Sequence, residues 1–96
     1  MTRSNEQTLK QVIEQLLDRY RLGQKISEMK LIGAWEKVVG AMIKKHTTNL
    51  YIRDRVLFVR LDSSALRNEL TYSKKKLVTM LNKAVDAEVI TDIVFQ

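Results

Sequence analysis

A chain of 96 residues builds one small domain with an adequate core and leaves little apolar surface for a deep pocket. Apolar residues make up 45% and charged residues 29%, which excludes a disordered tail and a membrane span, and the absence of cysteine excludes disulfides and thiolate metal sites and fits a reducing cytoplasm. The net charge of +6 is unevenly placed: residues 1–43 carry seven basic and five acidic side chains, residues 44–83 ten and three, and residues 84–96 none and three. A basic excess concentrated mid-chain points to a polyanion-facing surface; a solvated face that maintains solubility is the alternative.

The chain reads as a single domain over 1–96, with residues 1–7 a polar, disordered lead-in that lacks the apolar core of a secretion signal. Leu9, Val12, Ile13, Leu16, Leu17 and Tyr20 recur at three- and four-residue spacing and form one stripe of a helix from about Asn5 to Leu22. Gly23 supplies a left-handed stop. Ser27 followed by Glu28 reads as the N-cap of a second helix, whose period runs through Met29, Ile32, Trp35 and Val38-Val39 to Gly40, with Ala41-Met42-Ile43 as a further turn.

From Thr48 the period changes to two, and Leu50 and Ile52, then Val56-Leu57-Phe58-Val59-Arg60-Leu61, read as an antiparallel hairpin. Asp54 is followed by Arg55 and not glycine, so a favoured two-residue turn is not spelled out and a longer loop is an option. Asp62-Ser63-Ser64 offers N-cap oxygens to a long helix from Ser64 to Val85, and residues Val89 to Phe95 alternate as a last strand. The expected class is α+β in the order ααββαβ, a three-stranded sheet with helices packed on one face.

The chemistry of known catalytic motifs is missing. Gly23-Gln24-Lys25 lacks the earlier glycine and the following hydroxyl of a Walker loop, which argues against ATP hydrolysis. One histidine and eleven scattered acids give no metal site, and no cofactor is expected. His46 near Ser27, Ser63, Ser64 or Ser73 has no strained nucleophile elbow beside it, so the chain is read as a non-enzyme. His46 is instead read as a cap or bridge at the helix-to-strand junction, with a phosphate contact beside Lys44 and Lys45 as the functional alternative; Trp35 is read as core.

Binding residues follow from the long third helix. Counting about 100° per residue from Leu70, the side chains of Leu66, Leu77 and Leu81 share its face. Asn68, Tyr72, Lys75, Lys76, Thr79 and Lys83 fall opposite, with Arg67 and Lys74 at the seam. A ring among lysines suits single-stranded nucleic acid, because stacking accepts any base while ammonium groups track phosphates; a merely solvated helix face is the alternative. Lys44 and Lys45 before the hairpin, and Arg53, Arg55 and Arg60 within it, extend the basic set. Phosphate contacts position without reading bases, so sequence-independent binding is expected, with log K falling against log salt at a slope of roughly −2 to −4 for three to five phosphates.

Trp35-Glu36-Lys37-Val38-Val39-Gly40, then His46-Thr47, then Val56 through Ser64, with Glu69-Leu70 following, resemble the DciA-like family of bacterial replicative-helicase loaders, formerly a domain of unknown function. The resemblance covers roughly residues 8 to 95. It implies a K-homology-like fold, DNA binding, and contact with the replicative DnaB-type helicase to assist its loading without an ATPase module, and hence a cytoplasmic, nucleoid-associated protein. Lys44, Lys45, Arg53 and Arg55 carry over as basic positions in corresponding regions. Two departures stand: no two glycines are three apart, so the Gly-x-x-Gly loop of K-homology RNA recognition is missing, and the chain stops at Gln96 where better-known members add a C-terminal extension. An RNA-binding module of ribosome or transcript metabolism is the second reading. The third is a protein-interaction domain that self-associates weakly through the open sheet face or the edge of the last strand.

Overall fold

A capping box opens the longest element. The protein is described here over residues 8–96 of a computed structural model, in which Thr8 Oγ1 accepts from the Gln11 amide at 3.2 Å and Gln11 Oε1 accepts from the Thr8 amide at 2.9 Å. These bonds start α1, Leu9–Gly33. The expected helix start near Asn5 and disorder over residues 1–7 lie outside the described residues.

Two expected boundaries are absent. Gly23 keeps a helical backbone inside α1, and Ser27, expected as an N-cap, sits mid-helix. A glycine stop needs a left-handed φ, whereas a helical glycine costs only about 1 kcal/mol relative to alanine. The good helix formers on either side outweigh that cost. The helix ends at Gly33, and Ala34 turns the chain into α2, Trp35–Val39. Gly40 takes φ +92 and ψ 166, a conformation open to glycine alone, and starts α3, Ala41–Lys45.

β1, Thr47–Arg53, and β2, Val56–Leu61, pair antiparallel with Leu50 opposite Val59 and Ile52 opposite Leu57. The connection is a two-residue turn, not a longer loop, although neither residue is glycine: Asp54 and Arg55 take φ 50 and 64. Left-handed backbone costs an ordinary residue roughly 1–2 kcal/mol. Tertiary bonds offset it here, because the Thr91 amide donates to the Arg55 carbonyl at 2.8 Å and Arg55 Nη2 donates to the Glu88 carbonyl at 2.9 Å.

The expected long helix is two helices. Ser63 Oγ accepts from the Leu66 amide and caps α4, Ser64–Thr71; Tyr72 and Ser73 then break the run before α5, Lys74–Ala84. At 1.5 Å per residue an unbroken helix from Ser64 to Val85 is about 33 Å long. A seven-residue strand spans only about 24 Å. The break lets Leu66 and Leu70 on one helix, and Leu77 and Leu81 on the other, both reach the sheet.

β3, Asp92–Phe95, lies parallel to β2, with Leu57 opposite Ile93, and the strand order is β1-β2-β3. It begins later than the alternation from Val89 suggests. Asn82 is the reason: its Oδ1 accepts from the Val89 and Ile90 amides at 3.0 and 3.1 Å, and its Nδ2 donates to the Ile90 carbonyl at 2.9 Å. Both side chains are therefore buried side by side instead of alternating.

The fold is α+β, three helices, a hairpin, two helices and a strand, with a mixed three-stranded sheet. Leu57, Val59 and Ile93 pack against Leu31, Trp35, Leu70 and Leu81. The first turns of α1 take no part. Leu9, Ile13, Leu16 and Tyr20 form the expected helical stripe but are exposed, Tyr20 at 67%, and α1 buries only Leu31. The helix projects from the body, and the long axis of the molecule is 66 Å against 21 and 20 Å across.

Candidate nucleic-acid interface

The junction before the hairpin is a hydrogen-bonded frame. Trp35, fully buried, donates from Nε1 to Thr47 Oγ1 at 3.0 Å, and that hydroxyl donates to the Ile43 carbonyl at 2.8 Å. His46 Nδ1 lies 2.8 Å from Asp62 Oδ1, and the Asp62 amide donates to the His46 carbonyl at 3.0 Å. Trp35 is core and His46 a bridge, as their positions in the sequence imply. The frame ties the end of α3 to both strands of the hairpin, and so fixes Lys44 and Lys45, exposed in the last turn of α3 where cations complement the helix dipole.

Tyr72 stands in the break between α4 and α5 and is 85% exposed. Lys75 and Lys76 follow in the first turn of α5, exposed, with Lys74 half-buried beside them. No side chain caps this helix, so lysines and unpaired amides share its positive end. The exposure expected for Asn68, Tyr72, Lys75, Lys76, Thr79 and Lys83 holds although the helix is broken, because a two-residue break leaves each half with its own leucine edge.

Arg55 and Lys83 line one cleft with Thr79, Asp86 and Glu88, so the hairpin turn and the end of α5 do meet. That cleft has mixed charge. Arg55 is engaged with the Glu88 carbonyl, which makes it a structural tie as well as a basic group. Arg53 is elsewhere, on the sheet face turned away from the helices, and Lys44 lines a separate cleft with Thr47, Thr48 and Asn49. The eight basic and aromatic candidates thus fall into four places: the end of α3, the sheet face, the Arg55–Lys83 cleft, and the turn before α5.

One group escaped the reading of residue types. Tyr51 and Phe58 stack across the hairpin with ring centroids 4.9 Å apart and planes within 8°. Their parity was visible, since both fall opposite Leu50, Ile52, Leu57 and Val59. Among the described residues no group of three His, Cys, Asp or Glu side chains is placed to hold a metal ion, and no helix is long and apolar enough to cross a membrane.

Comparison with known proteins adds a family. The family model described as Dna[CI] antecedent, DciA, matches residues 8–95. The chain is 28% identical over 87 residues to a UPF0232 protein of Corynebacterium glutamicum (strain R), covering 91% of this chain and 49% of that protein. It is 31% identical over 68 residues to a UPF0232 protein of Mycobacterium marinum (strain ATCC BAA-535 / M), covering 71% and 36%. The chain spans about half the length, or less, of the curated relatives it matches.

Proposed function

The chain belongs to the DciA family, and from that premise we propose that it is a non-enzymatic replication accessory, which binds single-stranded or forked DNA without sequence preference and contacts a replicative DnaB-type helicase to assist its loading in the nucleoid. The observation that carries the DNA half is the turn before α5. A ring left 85% exposed beside Lys75 and Lys76 has no packing role, and the uncapped amides add to the positive potential of the lysines. Phosphates relieve like-charge crowding there, and a base stacks on Tyr72. Lys44, Lys45, Arg53, Arg55 and Lys83 extend the phosphate path in this reading.

The helicase half is supported by α1. Its projecting stripe of Leu9, Ile13, Leu16 and Tyr20 carries the i, i+4, i+7 anchors with which an amphipathic helix enters a groove on a partner.

The test is a salt series on labelled single-stranded, duplex and forked DNA, and on RNA of matched length. The expected slope of log K against log salt is roughly −2 to −4, with affinity largely lost in the Tyr72→Ala, Lys75→Glu, Lys76→Glu variant. Leu16→Asp in α1 is expected to leave DNA binding intact and to abolish co-elution with a DnaB-type helicase. Absence of salt-sensitive binding refutes the DNA half, and equal affinity for RNA and DNA favours the RNA-binding alternative.

A further inference from the structure

The hairpin's strict alternation divides the sheet into a covered and an uncovered face. Leu50, Ile52, Leu57, Val59 and Ile93 turn to the helices. Tyr51, Phe58 and Val94 turn the other way, and none of them belongs to the core or to the side chains packed on it. The strand register sets these three in one row across all three strands, with Tyr51 opposite Phe58 and Phe58 opposite Val94. All three are half-buried, and the Tyr51 and Phe58 rings lie stacked with their planes within 8°.

Arginines bracket it. Arg53 lies two residues beyond Tyr51 on β1 and Arg60 two residues beyond Phe58 on β2; because the strands are antiparallel, they stand on opposite sides of the row. Each is about 7 Å from it along its strand. Among the described residues, Arg60 makes a long 3.4 Å bond to Gln96, and no acidic side chain pairs with either arginine. Asp92, on the same face, turns its carboxylate to the Ile93 amide at 2.8 Å. At the Arg60 end, Asn49 opens on the cleft that Lys44 lines.

We propose that this open sheet face is a second contact surface for single-stranded nucleic acid, with bases stacked on the Tyr51–Phe58 row and phosphates held by Arg53, Arg60 and Lys44. The proposal rests on the nucleic-acid reading above and gives Lys44 and Arg53, already counted along its phosphate path, a second base-stacking platform on the side of the sheet away from the helices. A flat aromatic row suits bases, since every base has a π-face, and sheets that present aromatics are used in this way by other RNA-binding folds. Paired bases inside a duplex cannot reach it, so the face discriminates single strands from duplexes. Cations on both sides of the row match a polyanion crossing it, and an acidic groove in a protein partner is the competing occupant.

The experiment uses Tyr51→Leu, Phe58→Leu, which keeps apolar bulk but removes both rings, and Arg53→Gln, Arg60→Gln, each checked by thermal unfolding. The first pair is expected to weaken oligothymidylate binding on the order of tenfold per lost base stack with the salt slope and duplex affinity unchanged. The second is expected to flatten the slope by about 1.4, the loss of two single-strand phosphate contacts. A bromouracil-containing oligonucleotide photo-crosslinked to the unmodified protein is expected to label the segment 47–60. If the unmodified protein binds oligothymidylate but these variants bind it equally well and the crosslink maps elsewhere, the sheet-face site is refuted while the reading through Tyr72 stands. If it binds no single strand at all, both fall. Capture of a protein partner by this face with no crosslink to nucleic acid also overturns the proposal.

Discussion

The first half of α1 and the whole of α5 carry the same kind of apolar period, and only one of them is buried. In α5, Leu77 and Leu81 sit under the sheet, Leu81 with no exposed surface; in α1, Leu16 keeps 57% of its surface in water and Tyr20 67%. The difference is not in the helices. α5 is joined to β3 by a connection that Asn82 ties down, so its apolar edge must lie over the strands. α1 meets the body only in its second half, where Gln24, Ser27 and Glu28 are half-buried and Leu31 is buried, so its length carries the stripe off the body. Periodicity therefore identifies a face, and connectivity decides whether the fold itself supplies that face with a partner.

The largest expected effect sets the two helices against each other. Leu81→Ala leaves a cavity among fully buried side chains and is expected to destabilise by about 2–5 kcal/mol. Leu16→Ala removes a side chain already in water and is expected to change stability by no more than about 0.5 kcal/mol. Chemical denaturation of both variants measures this. Comparable losses would break the comparison and mean that α1 folds onto the body.

How much of this was legible follows from the same contrast. The hairpin, the three-stranded sheet and the burial of Leu70, Leu77 and Leu81 could be read from period alone, because strands and short helices held at both ends have nowhere else to place apolar groups. The roles of Trp35 and His46 were legible too: one bonds to Thr47 on β1 and the other to Asp62, just past the end of β2. What could not be read is set by tertiary geometry. Gly23 carries no sign of whether its φ is left-handed, the Asp54-Arg55 turn is held by Thr91 and Glu88 far along the chain, and the late start of β3 depends on Asn82. Of the candidate site, the exposure of Tyr72 and its lysines followed from the leucine edge of the helix. The distribution of basic residues over four places, and the Tyr51–Phe58 row, needed the strand register.

Gly23 and Gly40 sharpen the point at smaller scale, because the same substitution is expected to act with opposite sign. Gly40 holds φ +92 between α2 and α3 in the frame that positions Lys44 and Lys45. A Cβ meets no atom there within 4 Å, so the cost of Gly40→Ala is backbone strain alone, about 1–3 kcal/mol.

Gly23 is the finest test, since the sign alone decides. As a left-handed stop between two helices it would lose stability on substitution, as Gly40 does. Inside a continuous α1, with open space around the added methyl group, Gly23→Ala is expected to stabilise by about 0.5–1 kcal/mol, through helix propensity and a less flexible unfolded chain. Helicity measured by circular dichroism is expected to rise with it. A loss of stability would restore the stop. No change in either quantity would mean that the segment before Gly23 is not held as helix by the isolated chain, as a short helix without tertiary contacts is not.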